Sequence, residues 1–242
     1  MTRVLITGAT RGIGRAIAER ALKDGFEVHL IARTSDSLER VAGELSKLGQ
    51  VAFTPVNMAR REELQRFCER WRGPLHGIVN NVGAWREDSL LDADMDVLVE
   101  MMSLNVFGMF GLTKGLYGHL LPGGRVVNIS SQLGVRGREL MGSYAATKHA
   151  IIGLTRSWAP EAARRGITVN AVCPGWVDTQ SNQDELSVLA ARRGRTLEQE
   201  MQTIAQGLVL GRFIRQEEVA SLVAFLLSPD SSGVTAQAYE IL

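Results

Sequence analysis

The stretch RVLITGATRGIGRAIAERALKDG, residues 3–25, places a short apolar run, a glycine-rich turn and an amphipathic segment in direct succession. The run RVLIT is typical of a strand buried on both faces, and the segment after the turn has the apolar spacing of a helix. Gly8, Gly12 and Gly14 lie between the two, in a spacing that departs from G-x-G-x-x-G. Glycines there permit a tight turn and let backbone N–H groups and the positive helix N-terminus approach a phosphate. The stretch therefore predicts the first unit of a dinucleotide-binding fold.

The alternation of apolar strand-like runs with amphipathic helical segments continues along the chain. Further runs rich in β-branched residues are separated by amphipathic segments such as SLERVAGELSKLG. Because strands that are apolar on both faces need helices on both faces, we expect one α/β domain over residues 1–242, a Rossmann-like doubly wound parallel sheet covered on each side by helices. The six predicted strands are 3–7, 27–31, 51–56, 76–80, 125–130 and 167–172.

Several residues predict where helices begin, end or bend. Gly25 and Gly49 follow helical runs, where a C-terminal cap favours positive φ. The sequence DSLE, residues 36–39, has the pattern of a capping box that opens the second helix. Pro160 lies within a long helical segment and removes a backbone donor, so we expect a kink near residues 157–160.

The composition gives no reason to propose a macromolecular partner of opposite charge. The 27 basic and 26 acidic residues are spread along the chain and leave a net charge of +1, so we expect no nucleic acid and no membrane as partner. We find neither a signal peptide nor an apolar run of about 18 residues, and the default location is cytoplasmic. The two cysteines lie far apart and the four histidines form no cluster, so we expect neither a disulfide framework nor a metal site.

The end of the second strand bears on the choice of dinucleotide. In this fold an acidic residue there binds the ribose of NAD, whereas an arginine accommodates the 2′-phosphate of NADP. The chain reads IART, with Ala32 and Arg33 at this point, and Arg11 lies inside the glycine turn. Two guanidinium groups could therefore converge on a 2′-phosphate. The only nearby acid, Asp36, is accounted for by the capping role.

A tyrosine and a lysine one helical turn apart are the candidates for proton chemistry. In MGSYAATKHA, residues 141–150, Tyr144 and Lys148 are at i and i+4 and share one helix face. An ammonium beside a phenol favours the phenolate and lowers its pKa, which suits proton transfer near neutrality. A partly buried tyrosine beside a snorkelling lysine is the alternative for this pair taken alone.

Five motifs in fixed order give these candidates a context. They are TGATRGIG (7–14), NNVG (80–83), ISS (129–131), YAATK (144–148) and PG (174–175). With this set, nearly the whole chain resembles the short-chain dehydrogenase/reductase family, and in particular its NADP-dependent ketoreductases. The spacing includes a serine 13 residues before the tyrosine.

The resemblance implies roles for individual residues. Tyr144 is the expected proton donor, Ser131 the hydrogen-bond donor to the substrate carbonyl, and Lys148 the residue that holds the nicotinamide ribose and lowers the pKa of Tyr144. Asn105 is expected to support a water chain to Lys148, and Asn57 stands where many members have an acid for the adenine. The residues expected to bind NADP(H) are Gly8, Thr10, Arg11, Gly12, Ile13, Gly14, Arg33, Asn57, Asn81, Gly83, Pro174, Gly175 and Val177.

The resemblance also divides the domain. Cofactor binding is expected mainly in residues 1–110, catalytic residues in 105–148, and a substrate lid in about 177–207. The segment LGVRGREL, with Trp85 and Trp176, is expected to line the substrate pocket. Arg192, Arg193 and Arg195 either attract an anionic substrate or form a solvated helix end. Arg165 lies just before GITVN, as in ketoreductases that act on carrier-bound acyl groups.

The expected function is the reduction of a ketone or 3-oxoacyl group to a secondary alcohol with NADPH, by a homotetramer acting on a small molecule. The alternative is an NAD(P)-dependent dehydrogenase that oxidises a secondary or cyclic alcohol with the same residues. A dinucleotide-binding redox sensor or scaffold belongs to a different class, and the presence of Ser131, Tyr144 and Lys148 argues against it. An extended-type epimerase is disfavoured because we find no additional C-terminal domain.

Overall fold

The structure, a computed structural model, describes residues 2–91 and 93–242. Its strands are β1 Arg3–Thr7, β2 Glu27–Ala32, β3 Val51–Pro55, β4 Leu75–Asn80, β5 Leu120–Ile129, β6 Thr168–Pro174, β7 Val177–Asp178, β8 Ile214–Arg215 and β9 Ala238–Ile241. Seven of them form a central parallel sheet in the order β3-β2-β1-β4-β5-β6-β9, beside a two-stranded parallel pair formed by β7 and β8. The prediction of a doubly wound parallel sheet is confirmed.

Helices cover both faces of this sheet. The α-helices are α1 Gly12–Lys23, α2 Ser35–Leu45, α3 Arg61–Arg70, α4 Met95–Met102, α5 Gly108–Leu116, α6 Gly142–Ala162, α7 Gln180–Arg192, α8 Leu197–Gln206 and α9 Gln216–Leu227. One hydrophobic core contains the apolar sides of α1, α2 and α9, and the other contains those of α3, α5 and the end of α6. The order of strands reverses between β1 and β4, which is where doubly wound folds bind ligands.

Two predictions about helix ends are wrong and one is confirmed. The second helix begins at Ser35 after Thr34, so Asp36 lies inside its first turn and the residues 36–39 do not form the expected capping box. Gly49 does not adopt positive φ, because α2 already ends at Leu45 with Ser46 as its cap. Gly25 does adopt a positive φ, of 87°, directly after α1.

Pro160 does not end the helix that carries Tyr144. Helix α6 runs unbroken from Gly142 to Ala162 with Pro160 in its last turn. A proline so close to a helix end removes only one of the intrahelical hydrogen bonds, and the following residues close the turn as a short 3₁₀ segment, Ala163–Arg165.

One helical stretch is unusually apolar on its outside. Met95–His119 is long and apolar enough to cross a membrane by length and composition, a test that core helices of soluble proteins also pass. Within it, Phe107 and Phe110 are 58% and 41% exposed. Exposed apolar surface of this kind is typical of regions that bind another molecule.

Candidate active site

The turn between β1 and α1 has the backbone that a phosphate requires. Gly8 and Gly12 adopt positive φ angles of 67° and 54°, which residues with a Cβ rarely adopt. At Gly14 a Cβ atom would lie 2.3 Å from the carbonyl oxygen of Gly8, so only glycine lets α1 start this close to the turn. No side chain caps the N-terminus of α1. Its first backbone N–H groups are therefore available to an anion.

Thr7 and Asn81 join the ends of β1 and β4. The Thr7 hydroxyl accepts hydrogen bonds from the backbone N–H groups of Asn81, at 2.9 Å, and Val82, at 3.1 Å. The side-chain amide of Asn81 donates in return to the carbonyl oxygens of Thr7 and Gly8, at 3.0 and 3.3 Å. These bonds fix the glycine turn at the point where the strand order reverses.

A cleft of about 380 Å³ extends from the glycine turn to the start of α6. It brings together most of the residues that the sequence assigned to cofactor and catalysis. Those that line it are Gly8, Thr10, Arg11, Gly12, Ile13, Asn81, Gly83, Ser131, Tyr144, Lys148, Pro174, Gly175 and Val177.

Four of the expected residues do not line this cleft. Gly14 and Asn105 lie behind its wall, and Arg33, which follows β2 directly, is exposed. The side-chain oxygen of Asn57 accepts a hydrogen bond from the backbone N–H of Ala59 at 3.1 Å. Asn57 therefore stabilises its own turn, and the described cleft does not reach it.

Tyr144, Ser131 and Lys148 meet on one wall of the cleft. Tyr144 and Lys148 lie one turn apart on α6, and the Lys148 Nζ atom is 5.6 Å from the centre of the Tyr144 ring. Ser131 follows β5 and lies beside the phenol. The buried Lys148 ammonium donates a hydrogen bond to the carbonyl oxygen of Ile129 at 3.0 Å. This contact aims the lysine across the end of the sheet.

Burial acts on the pKa values of Tyr144 and Lys148, both on α6, in opposite directions. It raises the pKa of Tyr144 to about 12, although the neighbouring Ser131 hydroxyl and the Arg138 guanidinium act to lower it. It lowers the pKa of Lys148 to about 8. The expected lowering of the phenol pKa by the Lys148 ammonium is therefore not found, because burial favours the neutral forms of both groups where water is excluded.

Asn105 lies in a π-helical turn, Ser103–Phe107, between α4 and α5. Its side chain accepts from the backbone N–H of Ala84 at 2.9 Å, and donates to the Ala84 carbonyl at 2.8 Å and the Thr147 hydroxyl at 3.1 Å. A Cβ atom added to Gly83 would lie 3.3 Å from Lys148 Nζ and 3.4 Å from Asn105 Oδ1. Asn105 therefore fixes the chain that follows β4 against α6, directly beneath Gly83.

Asp88 is a residue that the sequence did not single out. Its carboxylate accepts hydrogen bonds from the backbone N–H of Ser143 at 3.1 Å and from the Ser143 hydroxyl at 2.5 Å. Met141, the residue before α6, provides no side-chain cap of its own. The cap of the Tyr144 helix is therefore supplied from a distant loop, which no local sequence pattern could indicate.

Charged side chains at the far end of the cleft were also missed. The Arg138 guanidinium carbon lies 5.1 Å from the centre of the Trp176 ring, and Arg138 lines the cleft beside Tyr144. Glu185, on α7, lies close enough to Tyr144 to influence it, and burial raises the pKa of Glu185 to about 7 while Arg11 opposes this. The sequence indicated the segment LGVRGREL only as a pocket wall and gave no role to its Arg138.

The segment predicted as a lid consists of α7 and α8. The parallel pair of β7 and β8 joins its two ends. Glu200 of α8 is 1% exposed in its side chain, and its carboxylate pairs with Arg193 at 2.6 Å and with Arg195 at 3.2 Å. Two of the three arginines considered as substrate attractors are thus ion-paired within this segment.

Arg165 is likewise occupied within the fold. Its guanidinium donates to the carbonyl oxygens of Tyr117, at 2.9 Å, and Leu120, at 2.5 Å, and lies 5.0 Å from the Tyr117 ring centre. It braces the start of β5. The position of Arg165 just before GITVN therefore gives no support for a carrier-bound acyl substrate.

Comparison with known proteins gives one consistent family. Residues 2–188 match the family described as short chain dehydrogenase. The 3-oxoacyl-[acyl-carrier-protein] reductase FabG of Aquifex aeolicus is 34% identical over 98% of this chain and 94% of its own. The structure of an actinorhodin polyketide ketoreductase with NADPH is 32% identical and superposes with a TM-score of 0.91, over 99% of this chain and 95% of its own. L-sorbose reductase from Gluconobacter frateurii, complexed with NADPH and L-sorbose, is 26% identical with a TM-score of 0.94, over 99% and 94%.

Proposed function

The chain belongs to the short-chain dehydrogenase/reductase family, and from this we propose that it reduces a ketone or 3-oxoacyl group to a secondary alcohol with NADPH. Family membership, predicted from the five motifs, is confirmed, and an oxidoreductase acting on a carbonyl or alcohol group follows from it. The observation that carries the finer proposal is the single cleft in which the glycine turn and the wall of Ser131, Tyr144 and Lys148 face each other.

The residues of the turn suit NADP(H). The positive-φ glycines, the uncapped N-terminus of α1 and the narrow space at Gly83 match a pyrophosphate followed by a flat ring and ribose. Arg11 lies on the cleft wall and Arg33 follows the second strand, where a 2′-phosphate would lie. The bound nicotinamide supplies the hydride.

Tyr144 then supplies the proton that the reduced carbonyl oxygen requires. With a pKa of about 12 the phenol keeps its proton at neutral pH, and the Ser131 hydroxyl beside it can donate a hydrogen bond to the same oxygen. In this proposal Lys148 binds the ribose hydroxyls and takes part in returning a proton to Tyr144. Asn105 positions Gly83 beside Lys148, at the start of the path by which a proton returns to Tyr144.

The proposal includes a homotetramer and a cytoplasmic location. The exposed Phe107 and Phe110, with a groove formed by Val106, Ala150, Gly153 and Leu154, support association of copies through α5 and α6. The cytoplasmic location stays a prediction from composition.

The test is NADPH oxidation measured in parallel against 3-oxoacyl thioesters, cyclic ketones and aromatic ketones. We expect turnover with at least one class, and a loss of at least roughly 100-fold in Tyr144→Phe with the fold retained by circular dichroism. Faster oxidation of the matching alcohols with NAD(P)⁺ would favour the dehydrogenase. Absence of turnover in either direction, with tight NADPH binding, would favour a sensor or scaffold.

A further inference from the structure

The far end of the cleft holds a guanidinium with no acceptor. Arg138 makes no hydrogen bond or ion pair through its side chain with any residue in the described ranges 2–91 and 93–242, in contrast to Arg136 of the same segment, which pairs with Glu240. Arg138 lines the cleft near Tyr144. A guanidinium has five donors in a planar fork, so this one is available to a ligand in the cleft.

The position of this guanidinium is fixed by aromatic packing. Arg138 lies over the ring of Trp176 at 5.1 Å, and the Trp176 ring packs against Phe213 with centres 5.8 Å apart. The backbone oxygen of Trp176 accepts a hydrogen bond from Ile214 at 2.8 Å, which ties it to β8. Stacking on an indole orients the fork and lowers the entropy lost when it binds a planar group.

The surroundings of Arg138 indicate the charge and shape of its ligand. Leu133 and Met141 pack with Trp85 and Tyr144 into an apolar cluster along the cleft, suited to a carbon chain. The carboxylates of Glu87 and Glu185 lie near Arg138 and Tyr144. They disfavour a dianion such as a phosphate, whereas a single carboxylate matches one guanidinium in charge and geometry.

We propose that Arg138 binds a carboxylate of the substrate, so that the substrates of this enzyme are keto acids. The inference rests on the proposed ketone reduction and names its substrate class. The ketone gains a hydride from NADPH at carbon and a proton from Tyr144 at oxygen, NADP⁺ is formed, and the carboxylate held by Arg138 is unchanged. Arg138 is then a specificity-determining residue that orients the carbonyl toward Tyr144.

The experiment compares each keto acid with its methyl ester, which has the same ketone without the charge. Pyruvate, acetoacetate and 4-oxopentanoate and their methyl esters are assayed with NADPH in the wild type, in Arg138→Met and in Arg136→Met. We expect the wild type to prefer the acid of at least one pair by roughly 10- to 100-fold in kcat/KM. The preference should vanish in Arg138→Met, because the acid loses far more kcat/KM than its ester, and persist in Arg136→Met, which removes the same charge outside the cleft.

The outcomes separate this inference from the proposed function. Reduction of esters or neutral ketones as fast as acids, or a preference that survives in Arg138→Met, overturns the inference and leaves ketone reduction intact. If no carbonyl is reduced, the proposed function fails, and quenching of tryptophan fluorescence by 4-oxopentanoate still decides the role of Arg138. Saturable quenching in the wild type and in Arg136→Met, but not in Arg138→Met, supports the carboxylate site, and equal responses in all three proteins contradict it.

Discussion

Of the two ionisable groups that meet on the cleft wall, Tyr144 and Lys148, it is Lys148 whose charge changes closer to neutral pH. Burial lowers the pKa of Lys148 to about 8 and raises the pKa of Tyr144 to about 12. Below pH 8 the lysine is charged and the tyrosine holds its proton, which is the pair of states that ketone reduction needs. Above pH 8 the ammonium is lost while the phenol remains protonated.

This order of titration predicts the pH dependence of reduction. We expect kcat/KM for the ketone, which reports groups of the free enzyme, to be highest below pH 8 and to fall as the pH rises through about 8, where Lys148 deprotonates. The residual activity of Lys148→Met should lack this inflection. A wild-type profile that stays level to pH 9.5 would assign the proton chemistry to other groups.

Arg11 and Arg33 would each bring one positive charge to the 2′-phosphate of NADP. Charge-assisted hydrogen bonds are worth about 1.5 to 3 kcal/mol, so the two together should favour NADPH over NADH by about 100-fold or more in dissociation constant. The difference should shrink at high salt.

Fluorescence titration of both nucleotides measures this preference. We expect it to be largely lost in the double variant Arg11→Ala with Arg33→Ala, and unchanged in Arg40→Ala, an exposed arginine of α2 that serves as the control. Equal affinities for NADPH and NADH in the wild type would show that the arginines have another role.

Among the elements, α6 depends most on a contact from outside itself. Asp88 caps its first turn through Ser143, and a backbone bridge pairs Asp88 with Met141. The loop after β4 and the helix that carries Tyr144 are thereby held in one arrangement. A change at the cap should alter both the stability of the helix start and the position of the phenol.

We expect Asp88→Ala to lower the free energy of unfolding by about 1 kcal/mol, the usual cost of losing a helix cap. Asp88→Asn keeps one acceptor oxygen and should retain most of this stability. Urea unfolding measures both variants. Faster hydrogen exchange in the first turn of α6 in Asp88→Ala, with little change elsewhere, would assign the loss to the cap, and an unchanged unfolding midpoint would contradict it.

The sequence predicted the elements that a pattern of neighbouring residues determines, and not those that depend on contacts between distant residues. All six predicted strands are present. Five of them have β-branched runs that are largely buried, as expected for strands covered on both faces, whereas β3 lies at the edge of the sheet and is only partly buried. Strand β9 was not among them, since AYEI is short, only partly buried and carries a charge, and its pairing with β6 is a tertiary contact. The π-helical turn at Asn105 and the cap from Asp88 depend likewise on residues far apart in sequence.

The features of the site also divide into those that a local sequence pattern predicts and those that depend on tertiary packing. Tyr144 and Lys148 share a face because an α-helix has 3.6 residues per turn, so their proximity could be predicted. The direction of the Tyr144 pKa could not, because burial by several elements determines it. Arg138 and Trp176 lie 38 residues apart and meet only through the packing of the chain around β7 and β8.

In the whole molecule, the outer face of α5 and α6 carries apolar side chains that are exposed to solvent. Val106, Phe107, Phe110, Ala150, Gly153 and Leu154 form an apolar groove there. The Phe110 ring contacts Trp158 with centres 5.6 Å apart, so it is held in place on this face. Small residues on α6 opposite two large aromatic residues, Phe107 just before α5 and Phe110 on it, suit close packing against a second copy of the same surface.

We therefore expect the wild type to have the mass of a tetramer by light scattering at micromolar concentration, and Phe110→Glu to have a smaller mass with its secondary structure retained. A buried glutamate without a partner opposes association, whereas in a separate subunit it is solvated and costs little. Leu48→Glu is the matched control, because Leu48 is also 41% exposed but lies after α2, away from the groove. If Phe110→Glu keeps the mass of the wild type, the groove is not an interface, and if the wild type is already a monomer, the predicted tetramer is wrong. A loss of mass in Phe110→Glu alone shows that copies associate through α5 and α6, and places Tyr144, on α6 itself, beside the interface.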